Sequence, residues 1–224
     1  MTDFALHPQR EQQQGGIHLS KEKKKSGEPV ILKTVQTALL MAIIIVMAYT
    51  PVGYLKIGVV EISFLMIPVV VGAVVVGPGA GAFLGAVFGA TSFIQCFGAS
   101  PFGSAMLGIS ALSAFLVCVP TRILSGFFCG LIYKAVNRGK KNKLSSVALS
   151  SLTGPLLNTV LFVGTFILLF RKTDYFMKLS AGKNIVAFIG AFVGLNGLIE
   201  AAVGFVVATA VSKALIAING RYRK

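Results

Sequence analysis

From residue 30 to residue 212 the sequence is a succession of apolar stretches, each long enough to cross a bilayer and separated by short connections. A hydrocarbon core of about 30 Å takes about 20 apolar residues as helix. Inside lipid every backbone polar group must be satisfied internally, which leaves helices or closed barrels. Barrel-type alternation is absent, so the stretches read as helices. They run roughly over 30–49, 60–77, 79–97, 114–136, 145–170 and 184–212. Pro51 ends the first, and Pro68 inside the second reads as a tolerated kink. Gly77-Pro78-Gly79 makes a tight turn, so the second and third must form an antiparallel hairpin. Residues 98–113, rich in Ser, Gly and Pro, form a longer connection with room for a short partial helix. The expected fold is an all-α, six-helix membrane domain over 30–217.

Charge orients it. Hydrophobic residues make up 55 % of the chain and charged residues only 12 %, yet the formal net charge is +14, so the charges are basic and clustered. Residues 1–29, with Lys21, Lys23, Lys24 and Lys25, read as a disordered cytoplasmic tail facing anionic lipid headgroups rather than nucleic acid. A polar start of this kind predicts no cleavable signal peptide. The tail, the 134–143 connection (Lys134, Arg138, Lys140, Lys141, Lys143) and the basic C-terminus at 218–224 fall on one side of a six-span chain. The positive-inside rule makes that side, and both termini, cytoplasmic. The 171–183 connection breaks the pattern with Arg171, Lys172, Lys178 and Lys183 against Asp174. Either the topology differs there or the loop attracts an anionic solute.

Several chemistries are excluded. Cys96, Cys118 and Cys129 are odd in number and lack paired spacing, which argues against a disulfide framework or a zinc site. Both histidines, His7 and His18, lie in the tail, so no metal, cofactor or intramembrane enzyme site is expected. No glycine-rich phosphate loop precedes a Lys-Ser or Lys-Thr pair, so the chain is not expected to hydrolyse ATP.

The polar residues inside the apolar stretches point to a site. A carboxylate such as Glu200 near the bilayer centre costs at least about 2.5–3.5 kcal/mol and persists only facing protein or a wet cavity. Asn196 lies one turn before it, on the same face. Together with Arg122, two residues after Pro120, and Asn158, these side chains lie between roughly 12 and 24 Å from the outer face. Arg122 and Glu200 form either a structural ion pair or part of a cavity open to the outside. In the third stretch, Gly81, Gly85 and Gly89 and the parallel row Ala82, Ala86 and Ala90 permit close backbone approach and read as internal packing.

Over about 30–217 the chain resembles the substrate-binding S components of energy-coupling factor (ECF) transporters. The resemblance rests on Ala38-Leu-Leu-Met-Ala42, Thr50-Pro51-Val52-Gly53-Tyr54, Ile67-Pro68, Gly77-Pro78, Val119-Pro120-Thr121-Arg122-Ile123-Leu124, Leu157-Asn158-Thr159 and Asn196-Gly197-Leu198-Ile199-Glu200. These runs are similar to the branch associated with pantothenate uptake. The chain departs from that branch at Thr121, between Pro120 and Arg122, and in carrying Glu61 and Ser63 in the second stretch. The resemblance implies a cell-membrane protein that captures a water-soluble vitamin outside. It implies partners too: a transmembrane coupling subunit, docked on Ala38, Ala42 and Thr34, and two ATPases, with toppling of the S component to deliver the vitamin inward. Arg122 would meet the pantothenate carboxylate, Asn158 and Asn196 its amide and hydroxyls, and Glu200 a hydroxyl or Arg122. Tyr54 and Gln95 complete the candidate substrate contacts. Riboflavin or another vitamin is the alternative ligand, and a stand-alone proton-coupled transporter using Glu200 the alternative class.

Overall fold

The structure is a computed structural model that describes residues 28–51, 53–57, 60–137, 144–180 and 185–222, without the side chains of 28–29, 55–57, 60–62, 185–196 and 220–222. Most of the expected tail, most of the 134–143 connection and the last two residues lie outside the described residues. Two compact units are distinguished, Met1–Gln36 and Thr37–Lys224. In chain order the elements are α1 Glu28–Ala48, β1 Tyr54–Ile57, β2 Val60–Ser63, α2 Met66–Val75, α3 Pro78–Gln95, α4 Pro101–Ile109, α5 Ala111–Val136, α6 Leu144–Phe170, α7 Asp174–Ser180 and α8 Ile185–Tyr222.

The fold is helical, and among the described residues four helices are long and apolar enough to cross a membrane, over Val30–Ala48, Ala111–Val136, Leu144–Phe170 and Gly197–Asn219. Each coincides with an expected span. The expected second span at 60–77 is corrected. Its first residues form β2, paired antiparallel with β1 in the register Tyr54↔Ser63 to Ile57↔Val60. The helix α2 that follows has only 10 residues, about 15 Å or half a bilayer core. The reason is local chemistry. Alternating β-branched residues (Val60, Ile62) favour a pleated strand, and Pro68 falls in the first turn of α2, where its missing N–H is not needed. Pro68 is therefore no kink.

α2 is apolar on every side because it is enclosed. Met66, Val69, Val70, Val71, Ala73 and Val74 are buried together with Leu40, Ile44 and Ala48 of α1, Leu84 and Phe88 of α3, Cys129 of α5, Val147 of α6 and Ala208 of α8. Gly77 turns the chain into α3 with φ 133°, a left-handed conformation that suits glycine, and its N–H donates to the Gly72 carbonyl at 3.1 Å. Gly72 then meets Leu84 across the hairpin, so α2 and α3 are antiparallel as expected.

The glycine row of α3 packs against the backbone of α5. A side chain at Gly81 would strike the carbonyl of Gly126, one at Gly85 the carbonyl of Arg122, and one at Gly89 the backbone of Cys118 and Val119. The neighbouring alanine row is only half-buried at Ala82 and Ala86 and exposed at Ala90. The connection at 98–113 does hold a helix. Pro101 opens α4, the Ser100 hydroxyl accepts from the Gly103 N–H at 3.2 Å, and Ser110 repeats the device on Ser113 at the start of α5. A second core, of aromatic side chains, joins α4, α5, α6 and α7 through Phe102, Phe166, Phe170 and Phe176.

The glycine seam predicts an asymmetric response to added bulk. Gly85→Val should destabilise the protein by about 1–3 kcal/mol through overpacking, whereas Gly79→Ala, which meets nothing within 4 Å, should stay within about 0.5 kcal/mol. Thermal unfolding in detergent measures both, and equal behaviour of the two variants contradicts the seam.

Candidate functional site

Arg122 is built into the site by the turn that precedes it. Pro120 has no N–H, so the helical ladder of α5 lacks its bond to the Leu116 carbonyl, and the two side chains after Pro120 fold back onto the carbonyls that follow Leu116. The Thr121 hydroxyl donates to the Val117 carbonyl. Arg122 Nη1 donates to the Cys118 carbonyl at 2.9 Å and to that of Val117 at 3.4 Å. Its guanidinium carbon lies 4.5 Å from the ring centre of Phe88 on α3 and 5.1 Å from that of Phe162 on α6. Two aromatic faces and two carbonyls thus hold a cation that is 7 % exposed. Each ring contact contributes about 0.5–2 kcal/mol. Nε remains buried without a hydrogen-bond partner, so one donor is held ready in a fixed direction.

Asn158 lies one turn before Phe162 on α6 and is likewise buried, with Oδ1 unpartnered. Glu200, on α8, accepts at Oε1 from the backbone N–H of Ser63 at 2.5 Å. That contact joins α8 to the β1–β2 hairpin. A strand end at the level of a half-buried carboxylate is non-helical backbone among apolar helices, which in a membrane is tolerated where it is enclosed by protein or lines a wet cavity. The Arg122 charge acts on the Glu200 carboxylate. Among the described residues, however, the two form no ion pair within 4.0 Å. Each is held by backbone groups instead of by the other.

The remaining candidates divide. Tyr54 hydrogen-bonds Ser92 through its hydroxyl at 3.3 Å, tying β1 to α3. Gln95 Nε2 donates to the Ala48 carbonyl, fastening the end of α3 to the end of α1. Asn196 lies in α8, but its side chain is outside the described residues. Ala38 and Ala42 are exposed on α1, opposite the buried stripe Leu40, Ile44 and Ala48. Thr34, in the other unit, is exposed, and its hydroxyl donates to the Val30 carbonyl at 3.0 Å. In the 171–180 segment Arg171, Lys172 and Lys178 are exposed, while Phe176 anchors α7 in the aromatic core.

Two features are not visible in the sequence. Ser63 enters the site through its backbone, which no side-chain pattern signals. Cys96 and Cys118, which lack paired spacing in the sequence, place their sulfurs 3.9 Å apart as reduced thiols, beside the Cys118 carbonyl that holds Arg122.

Residues 33–212 match the family model described as ECF transporter, substrate-specific component. The chain is also 32 % identical over 164 residues to the pantothenic acid transporter PanT of Lactococcus lactis subsp. cremoris (strain MG1363), covering 68 % of this chain and 76 % of that protein.

The geometry predicts what Glu200 does for the fold. Glu200→Gln retains a carbonyl that accepts from Ser63 N–H and should cost less than about 1 kcal/mol, whereas Glu200→Leu leaves that N–H unsatisfied and should cost about 1–3 kcal/mol. Thermal unfolding of both variants beside the wild type is the measurement. Equal loss in the two would remove the Ser63 contact as the reason.

Proposed function

The chain belongs to the substrate-specific components of ECF transporters, and from that premise we propose that it captures pantothenate at the outer face of a cell membrane for ATP-driven import. The observation that carries the ligand assignment is Arg122: a desolvated guanidinium with no carboxylate partner among the described residues and with Nε unpartnered. A buried cation of this kind calls for an anion, and planar guanidinium pairs with a carboxylate through parallel N–H donors. Pantothenate offers that carboxylate together with an amide and two hydroxyls, and the named relative is a pantothenic acid transporter. Asn158, with its carbonyl oxygen unpartnered, accepts from the amide or a hydroxyl. Asn196 supplies a second amide from α8.

The proposed topology has six crossings, with the hairpin and α2 together making the second and both termini in the cytoplasm. The exposed basic residues of the 171–180 segment then face outward and raise the local concentration of an anionic vitamin. The exposed Ala38 and Ala42 face of α1 is the docking surface for the transmembrane coupling subunit, which links the chain to two ATPases. Small side chains allow a partner helix to approach closely.

Calorimetric titration with pantothenate tests the ligand site. Arg122→Ala should lose about 2–5 kcal/mol of binding, Arg122→Lys should lose much of it because an ammonium offers no planar fork, and Asn158→Ala should lose about 1–3 kcal/mol. A folded Arg122→Ala protein with wild-type affinity ends the anion-capture reading. Docking is tested separately: Ala38→Trp or Ala42→Trp should abolish co-purification with the coupling subunit and leave pantothenate binding unchanged. Normal assembly by both variants places the docking face elsewhere.

A further inference from the structure

We propose that Ser63, on the β1–β2 hairpin, contacts the bound vitamin and reads its hydroxylated end, an inference that rests on the pantothenate reading above. Ser63 has two polar groups facing two directions. Its backbone N–H is spent on Glu200. Its hydroxyl is buried and has no partner. Other hydroxyls in this protein close onto a backbone carbonyl nearby: Thr91 onto Phe88, Thr121 onto Val117, Ser125 onto Thr121. Serine in a helix has the carbonyl four residues back within reach. Ser63, at the end of a strand, has no such carbonyl, and a buried hydroxyl left unpaired is unfavourable.

Other unpartnered hydroxyls exist at Ser150, Ser151, Thr209 and Ser212, but they lie at least seven residues along α6 and α8 from Asn158 and Glu200. Ser63 alone among them is fastened to Glu200, the carboxylate on which the Arg122 charge acts. The position of its strand is fixed as well. The Phe64 N–H donates to the Gly53 carbonyl at 3.0 Å, and a side chain at Gly53 would strike the Met47 carbonyl, so the base of the hairpin is packed onto the end of α1.

The charges set the direction of the ligand. An anionic group is repelled at the Glu200 and Ser63 end and attracted at Arg122 Nε. The carboxylate therefore lies against Arg122 and Phe162, the amide near Asn158, and the hydroxyls against Ser63 Oγ and the second oxygen of Glu200. A hydroxyl donates to the carboxylate and exchanges a bond with serine, a pairing a flat aromatic ring edge does not reproduce. The ligand class is a carboxylic acid that carries aliphatic hydroxyls at its far end.

The test is a cycle between residue and ligand, read by calorimetric titration. The probes are pantothenate and its two analogues in which one hydroxyl is replaced by hydrogen. The wild type should bind one analogue about tenfold more weakly than pantothenate. Ser63→Ala, which keeps the backbone N–H on Glu200, should bind pantothenate about tenfold more weakly and no longer distinguish that analogue. Ser63→Thr should restore the discrimination. Unfolding temperatures of both variants near the wild-type value exclude a general loss of structure. If Ser63→Ala binds pantothenate as tightly as the wild type, or still discriminates as the wild type does, the contact is overturned and the Arg122 site stands. If the wild type binds no pantothenate, the vitamin reading falls and this inference with it.

Discussion

Everything around the site depends on how closely two backbones approach. α3 lies directly against α5 because Gly81, Gly85 and Gly89 face Gly126, the Arg122 carbonyl and the Cys118–Val119 backbone. Side chains at those positions would push the helices apart, and Phe88, on the same part of α3, would no longer reach the Arg122 guanidinium at 4.5 Å. The seam therefore does two things with one set of residues. It replaces side-chain packing by backbone contact, which is how helices gain dispersion in lipid, and it sets the distance at which a cation is covered by an aromatic face.

The cost of holding that cation is distributed. Removing a guanidinium from water without a counter-charge is expensive, and no single contact here offsets it. The carbonyls of Val117 and Cys118, the rings of Phe88 and Phe162, and the more distant Glu200 each contribute a part. Carbonyls and rings are weaker partners than a carboxylate. An arginine kept this way is positioned but not neutralised, which is the state in which an arriving anion gains most.

The legible parts of the fold are those written in local periodicity. The spans at α1, α5, α6 and α8 show as apolar length, and the glycine row of α3 as spacing of four. Arg122, Asn158 and Glu200 stand out because a polar residue in an apolar stretch is costly and rare. The second expected span misleads because Val60–Ser63 and Met66–Val75 are both apolar enough to be read as one element. Hydropathy does not register where the backbone changes from pleat to helix. Ser63 and the Cys96–Cys118 pair are illegible for another reason. Their partners lie 137 and 22 residues away, and nothing in local composition records such a contact. Gln95 is an intermediate case: its polarity marks it, yet its bond to Ala48 fastens two helix ends together.

α8 is 38 residues long, about 57 Å, and so exceeds the thickness of a bilayer's hydrocarbon core. Gly204, at the middle of that rod, lies against Pro155 of α6, a contact of bare backbone on a rigid ring. Glu200 is one turn away and is itself held by the Ser63 N–H. The carboxylate is therefore clamped from two directions within a single turn, at the waist of the longest helix in the described structure.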